Sequence, residues 1–239
     1  MLDGMTNLTS LDLSGLDTSN VTDPSIAFDS CKSLTEINIG TKTLDQNILL
    51  DIEDAKFLAK NGTGELYSPA ELRNAITLGN IGWYSIVPCG NWGTCSWDLI
   101  DNVLTIHKGT GKGVDFVDGL DLPWCQYRES INSIVMTEKV LAPTCIRYLF
   151  CNMPNLTSAD LSGFDTAFVN TSHDIFANCN NLNEIKIGPH TFSSQVFIDT
   201  DLPKKRFVPQ SGGDPVLPTD LPSVINADNT GWYDVVEAD

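Results

Sequence analysis

"NLTSADLSGFDT", residues 155–166, occurs almost letter for letter a second time as "NLTSLDLSGLDT" at residues 7–18. A phrase returning this faithfully marks a duplicated structural unit, and the spacing of the copies decides what is built around it. The offset is 148 residues, 155 against 7. At that offset Met5 pairs with Met153, Phe28 with Phe176, Cys31 with Cys179, and "EINIG" ending at Gly40 with "EIKIG" ending at Gly188. The copy therefore spans at least 5–44 against 153–192.

A shorter period lies inside each copy. The pattern L-x-x-L-x-L is carried by Leu8, Leu11, Leu13 and by Leu34, Ile37, Ile39, then by Leu156, Ala159, Leu161 and by Leu182, Ile185, Ile187. The step is 26 residues, 34 against 8 and 182 against 156. Ile131, Ile134 and Met136 fit the same template 25 residues earlier (131 against 156), which gives the second copy three units. Alternate residues of such a run fall on one face of a short strand. Units this short cannot bury their apolar edge alone and must stack, so the pattern predicts a solenoid of parallel strands. Six residues before each leading leucine stand Leu2, Phe28, Phe150 and Phe176, and three after those Met5, Cys31, Met153 and Cys179. One column is large and apolar and the other soft, as stacked core side chains would be. Asp23 before Pro24, and Thr171 with Ser172, read as helix starts between strands. Each unit is thus expected to be a strand plus a short helix or 3₁₀ turn.

Bulk properties narrow the function. Among 239 residues, 14 Lys and Arg stand against 31 Asp and Glu, a net charge of −17. So acidic a chain has no general grip on nucleic acid or anionic lipid. No apolar run approaches the length of a membrane span, so no direct membrane insertion is expected. The seven cysteines include no C-x-x-C pair, which leaves isolated buried thiols with room for one local disulfide, rather than zinc ligands.

The repeats resemble a known family. "FDSCKSLTEINIG" and "NLTSLDLSGLDTSNVTD" are similar to the 26-residue unit of BspA-like leucine-rich-repeat proteins of bacterial surfaces, over about residues 1–40 and 146–188. The chain departs at Pro24, at Asp29 and Ser30, and along "DTAFVNTSHD". The resemblance implies an α/β leucine-rich-repeat solenoid from an exported bacterial protein, extracellular and at the cell surface, with an adhesive or host-binding role and no enzymatic activity. It also implies that "GTCSWDLIDNVLTIHKGTG" and "PWCQYRESI" form a segment preceding the repeats.

Beyond the repeats the copies run on loosely: Pro69 matches Pro218, Leu72 matches Leu221, and Gly82-Trp83-Tyr84 matches Gly231-Trp232-Tyr233, all at an offset of 149. Ser68, Pro69 and Glu71 form a capping box opening a helix. Cys95, Trp97, Leu99, Val103 and Thr105 alternate about an Asp101-Asn102 turn, a hairpin signature. The expected organisation is two tandem short modules with β-rich caps. Residues 1–87 form a truncated module with a C-terminal cap; residues 88–239 form a second, with a hairpin cap (88–130), repeats (131–192) and a C-terminal cap (193–239). Because "MLDG" falls mid-unit, the chain reads as a fragment of a longer protein.

Chemical motifs are sparse. "KGTGKG" lacks the Ser or Thr and the spacing of a phosphate loop; His107, His173 and His190 lack metal-ligand spacing; no G-x-S-x-G is present. "DGLDLP" and "DTDLP" cluster oxygens but match no calcium loop. No catalytic residue, metal site or cofactor is assigned. The candidate ligand-binding residues are those between the inward leucines, on the outer strand face: Ser10, Asp12, Glu36 and Asn38, then Ser158, Asp160, Glu184 and Lys186. The expected partner is a host extracellular protein or glycan. A ligand-free structural stalk is the second reading, and a glycoside hydrolase using paired carboxylates ranks last.

Overall fold

The computed structural model describes residues 4–22, 28, 31, 33–43, 52, 54–77, 79–113, 121–192, 205–225 and 229–237. The expected helix start at Asp23 and Pro24, the first half of "DGLDLP" (residues 118–120) and all of "DTDLP" lie outside them. The chain divides into two compact units, Met1–Cys89 and Gly90–Asp239.

In the first unit β1 (Ser10–Asp12) pairs in parallel with β2 (Glu36–Ile39), Leu11 opposite Ile37. A hairpin of β3 (Ala55–Ala59) and β4 (Leu66–Tyr67) follows, then helix α1 (Pro69–Thr77) and β5 (Gly82–Trp92). β5 lies antiparallel to both β2 and β3. At the start of α1 the Glu71 carboxylate accepts from the Ser68 N–H (2.9 Å) and hydroxyl (2.7 Å), while the Glu71 N–H donates back to Ser68 Oγ (3.3 Å). Two orphan donors are thereby satisfied.

The second unit opens with the hairpin of β6 (Cys95–Ile100) and β7 (Val103–Ile106). Asp101 and Asn102 both adopt positive φ, 50° and 65°, the turn whose twist suits a two-residue hairpin. After β8 (Gly109–Thr110) and a 3₁₀ turn at Cys125–Tyr127 come β9 (Ser133–Val135), β10 (Val140–Leu141), β11 (Ser158–Leu161), β12 (Phe164–Asp165) and β13 (Glu184–Ile187). β14 (Lys205–Pro209), a single helical turn α2 (Leu221–Val224) and β15 (Gly231–Glu237) complete the unit. β7, β9, β11 and β13 stack in parallel, and β8, β10 and β12 form a second parallel ladder, so each turn of chain contributes to two sheets. This is a β-solenoid.

The helix expected between strands does not form at Thr171 and Ser172. Thr171 instead makes a parallel bridge to Cys145, and residues 173–178 are turns. Asp174 and Asn178 hold φ of 61° and 63°, and left-handed residues four apart interrupt any right-handed helical run. Tyr148 and Asn152 repeat this 26 residues earlier (148 against 174), at 58° and 57°. The described fold is therefore mostly β-strand, not α/β with a helix in every repeat.

The inward residues are those the period selects. Ile37, Ile134, Ala159 and Ile185 are fully buried, and each buried isoleucine contributes roughly 1.5–3 kcal/mol. Trp124 stacks on Phe150 (6.2 Å between centroids), and Phe150 packs tilted against Phe176 (5.6 Å), an aromatic spine with one ring per coil. Met153 and Cys179 are buried beside it, but Met5 is 47% exposed. The physical difference is that no described strand lies on the outer side of β1.

Glycines set the spacing of the coils. A Cβ on Gly188 would fall 2.0 Å from the Ser162 carbonyl oxygen, and one on Gly40 2.1 Å from that of Ser14, so only glycine fits where neighbouring coils touch. Three residues on, the buried Thr191 hydroxyl donates to the Leu161 carbonyl (2.8 Å) and accepts from the Gly188 N–H (2.8 Å). Thr43 makes the same pair with Leu13 (2.8 Å) and Gly40 (2.9 Å). "KGTGKG" also has a packing explanation: a Cβ on Gly111 would meet the Trp92 ring at 2.4 Å, and Trp92 Nε1 donates to the Lys112 carbonyl (2.7 Å). Thr191→Val keeps the shape and strands two buried backbone groups, so urea unfolding should show a loss of about 1–3 kcal/mol. Thr191→Ser should recover most of it.

Candidate functional site

The outer faces of the parallel strands carry the side chains that the inward leucines leave over. In the first unit the register sets Ser10 beside Glu36 and Glu36 beside Ser85, and in the next row Asp12 beside Asn38 and Asn38 beside Trp83. In the second unit the corresponding rows are Ser133, Ser158, Glu184, Asp234 and Val135, Asp160, Lys186, Trp232. The structure thus brings Ser10, Asp12, Glu36 and Asn38 together on one face, and Ser158, Asp160, Glu184 and Lys186 on the other unit's.

These residues do not share one environment. Ser10 and Asp12 are exposed; Glu36, Asn38, Ser158, Glu184 and Lys186 are half-buried. Asp160 is only 9% exposed, so it is no free outward carboxylate. The Ser162 N–H (3.0 Å) and hydroxyl (2.6 Å) donate to one oxygen of Asp160, and the Lys186 ammonium (3.0 Å) donates to the other. Burial pushes its pKa up, but these donors and the lysine charge outweigh burial and hold it below the usual aspartate value. Asp12 receives the Ser14 N–H (2.9 Å), and its pKa is lowered by the Ser14 hydroxyl and amide and by the Asn38 side chain.

The cap strands add residues that the leucine pattern did not single out. Tyr84 and Tyr233 point inward and are buried, each donating its hydroxyl to a backbone carbonyl, of Asn80 and Asn229. Trp83 and Trp232, one residue earlier, fall on the opposite face by strand alternation. Trp83 is 38% exposed, and with Glu36, Lys60, Asn61, Ile81 and Gly82 it lines an open groove of about 510 Å³. Lys60 is ion-paired to Glu36. In the second unit the same side carries Gln210, whose amide donates to Asp234 (2.7 Å) and Glu184 (3.4 Å), and the Lys186 ammonium lies 5.8 Å from the Trp232 ring centroid. The repeated Gly-Trp-Tyr triplet was the available signal; which of its two rings faces water depends on the antiparallel register with β2 and β13.

Other polar clusters are structural in geometry. The His107 ring contacts Asp98 (2.9 Å) and Glu138 (3.5 Å), linking the hairpin to the next coil. Burial pushes the Cys95 thiol up to about 11, far from a reactive thiolate. Among the described residues no three His, Cys, Asp or Glu side chains gather as metal ligands, and no helix is long and apolar enough to cross a membrane.

Compared with known proteins, the chain matches no family model, no curated protein and no solved structure.

The Asp160–Lys186 pair predicts a pH dependence. Because the folded-state pKa of Asp160 is lowered, its stabilisation is complete above the ordinary aspartate value and is lost as pH falls through the folded one. The stability gap between the native chain and Asp160→Asn should therefore narrow below about pH 4 in urea titrations. A gap independent of pH would mean that the charge contributes nothing. At neutral pH Lys186→Met leaves Asp160 without its counter-ion and should cost roughly 1–3 kcal/mol.

Proposed function

We propose that the chain is a non-enzymatic repeat region of a bacterial cell-surface protein, of BspA-like leucine-rich-repeat type, that binds a host extracellular protein or glycan. One observation carries the reading beyond the resemblance of the repeats. The groove beside Trp83 places an exposed indole and an exposed Ile81 next to a charged pair on a rigid sheet face. An exposed aromatic ringed by polar groups has the make-up of a binding anchor, because it offers large contact area at low entropic cost.

A ligand-free stalk is the second reading. It is favoured by the second unit, where Lys186 and Gln210 satisfy the same face internally. Glycoside hydrolysis stands third, since it needs two carboxylates flanking one bond, and Glu36 in the groove is engaged by Lys60.

Glycan arrays and a panel of extracellular matrix proteins, probed with the purified chain, test the leading reading. Saturable binding to a subset is expected, weakened about tenfold or more by Trp83→Ala, a loss of roughly 1.4 kcal/mol. Silence across both panels would overturn adhesion in favour of the stalk.

A further inference from the structure

The two units carry the same outer row with one substitution at its centre. Asp160, Lys186 and Trp232 in the second unit correspond to Asp12, Asn38 and Trp83 in the first, in the same cross-strand register. In the second unit the lysine ammonium lies between the other two, 3.0 Å from the Asp160 carboxylate and 5.8 Å from the indole centroid. A carboxylate on one side and an aromatic face on the other form a recognised ammonium site, uniting an ion pair with a cation–π contact. The protein thus shows, within its own chain, which chemistry this row accepts.

Asn38 changes what the first unit can do. Its short amide, opposite Asp12 on the neighbouring strand, lowers the Asp12 pKa but brings no charge. Among the described residues no cation pairs with Asp12 and none lies over Trp83; the nearby Lys60 is neutralised by Glu36. The row in the first unit therefore keeps a net negative charge, whereas Lys186 cancels that of Asp160 in the second. Ile81, 45% exposed where the second unit has Thr230, lines the groove beside Trp83. The overall charge of −17 draws basic surfaces toward the chain.

We infer that the first unit is a lysine-accepting site: Asp12 and Trp83 receive the side-chain ammonium of a lysine presented by a protein partner, in the position that Lys186 occupies within the second unit. This rests on the reading of the chain as a binding module, and it commits that reading to a protein rather than a glycan. Asn38 acts as the selector, since a lysine there would fill the site from within.

The test follows the indole N–H signals of the full chain by NMR during titration with Nα-acetyl-lysine N-methylamide, with the norleucine analogue and methyl β-galactoside as controls. The Trp83 signal should move saturably with the lysine derivative and at least roughly tenfold more weakly with norleucine, which lacks the charge. Trp232 should stay still. Asn38→Lys should silence Trp83, and Lys186→Asn should make Trp232 responsive; each residue already stands at the corresponding position of the other unit. Should Lys186→Asn fail to fold, the Asn38→Lys comparison still decides. The inference is overturned if Trp83 ignores the lysine derivative, answers norleucine or the galactoside equally, or responds unchanged in Asn38→Lys. Panel binding that survives Asn38→Lys sinks this site and leaves the binding reading standing. A responsive Trp83 with silent panels does the reverse.

Discussion

Neighbouring coils of this solenoid approach until backbone meets backbone, and that closeness governs the rest. At Gly40 and Gly188 the next coil's carbonyl oxygen occupies the space a side chain would need. Close contact excludes water, so the backbone groups at the junction need partners within the protein. Thr43 and Thr191 supply them, each hydroxyl spanning two coils. With the coils held at that distance, parallel ladders form on two faces and the rings of Trp124, Phe150 and Phe176 come within stacking range. The hydrophobic residues provide most of the driving force, but the glycine and threonine positions determine the spacing at which it is collected.

Much of this was legible from periodicity. The inward Leu and Ile positions, the parallel stacking, the capping box at Ser68 and Glu71 and the hairpin turn at Asp101-Asn102 all follow from local pattern, because each depends on residues close in sequence or on a constant 26-residue step. What was not legible depends on pairings across coils. Thr171 and Ser172 look like a helix start, but a bridge to Cys145 and left-handed residues at Asp174 and Asn178 override that propensity. Asp160 looks exposed by alternation, and it is buried because Lys186, one coil on, lies alongside it. Trp83 could be assigned to the outer face only once the antiparallel register with β2 was known.

The outer face also shows how duplicated scaffolds diverge. Inward positions are held by packing, so Ile37 and Ile185 remain the same residue in the same buried place. Outer positions are held only by their neighbours on the ladder, and a change at one of them redistributes charge along the row. Lys186 ties its row together, whereas Asn38 leaves its row negative. Two copies can thus share a fold and differ in what they offer to solvent.

The pairing of the cap strands carries a further consequence. β5 and β15 run antiparallel to the last repeat strands, and their other edges are taken by β3 and β14. With both edges of each cap strand already paired, no edge is left for another coil, so the cap works as a chain terminator does in polymer growth. Lengthening either array would require inserting coils ahead of the cap, where each newcomer inherits the spacing of its neighbours. The cap itself, with its inward tyrosine and outward tryptophan, would travel unchanged to the new end.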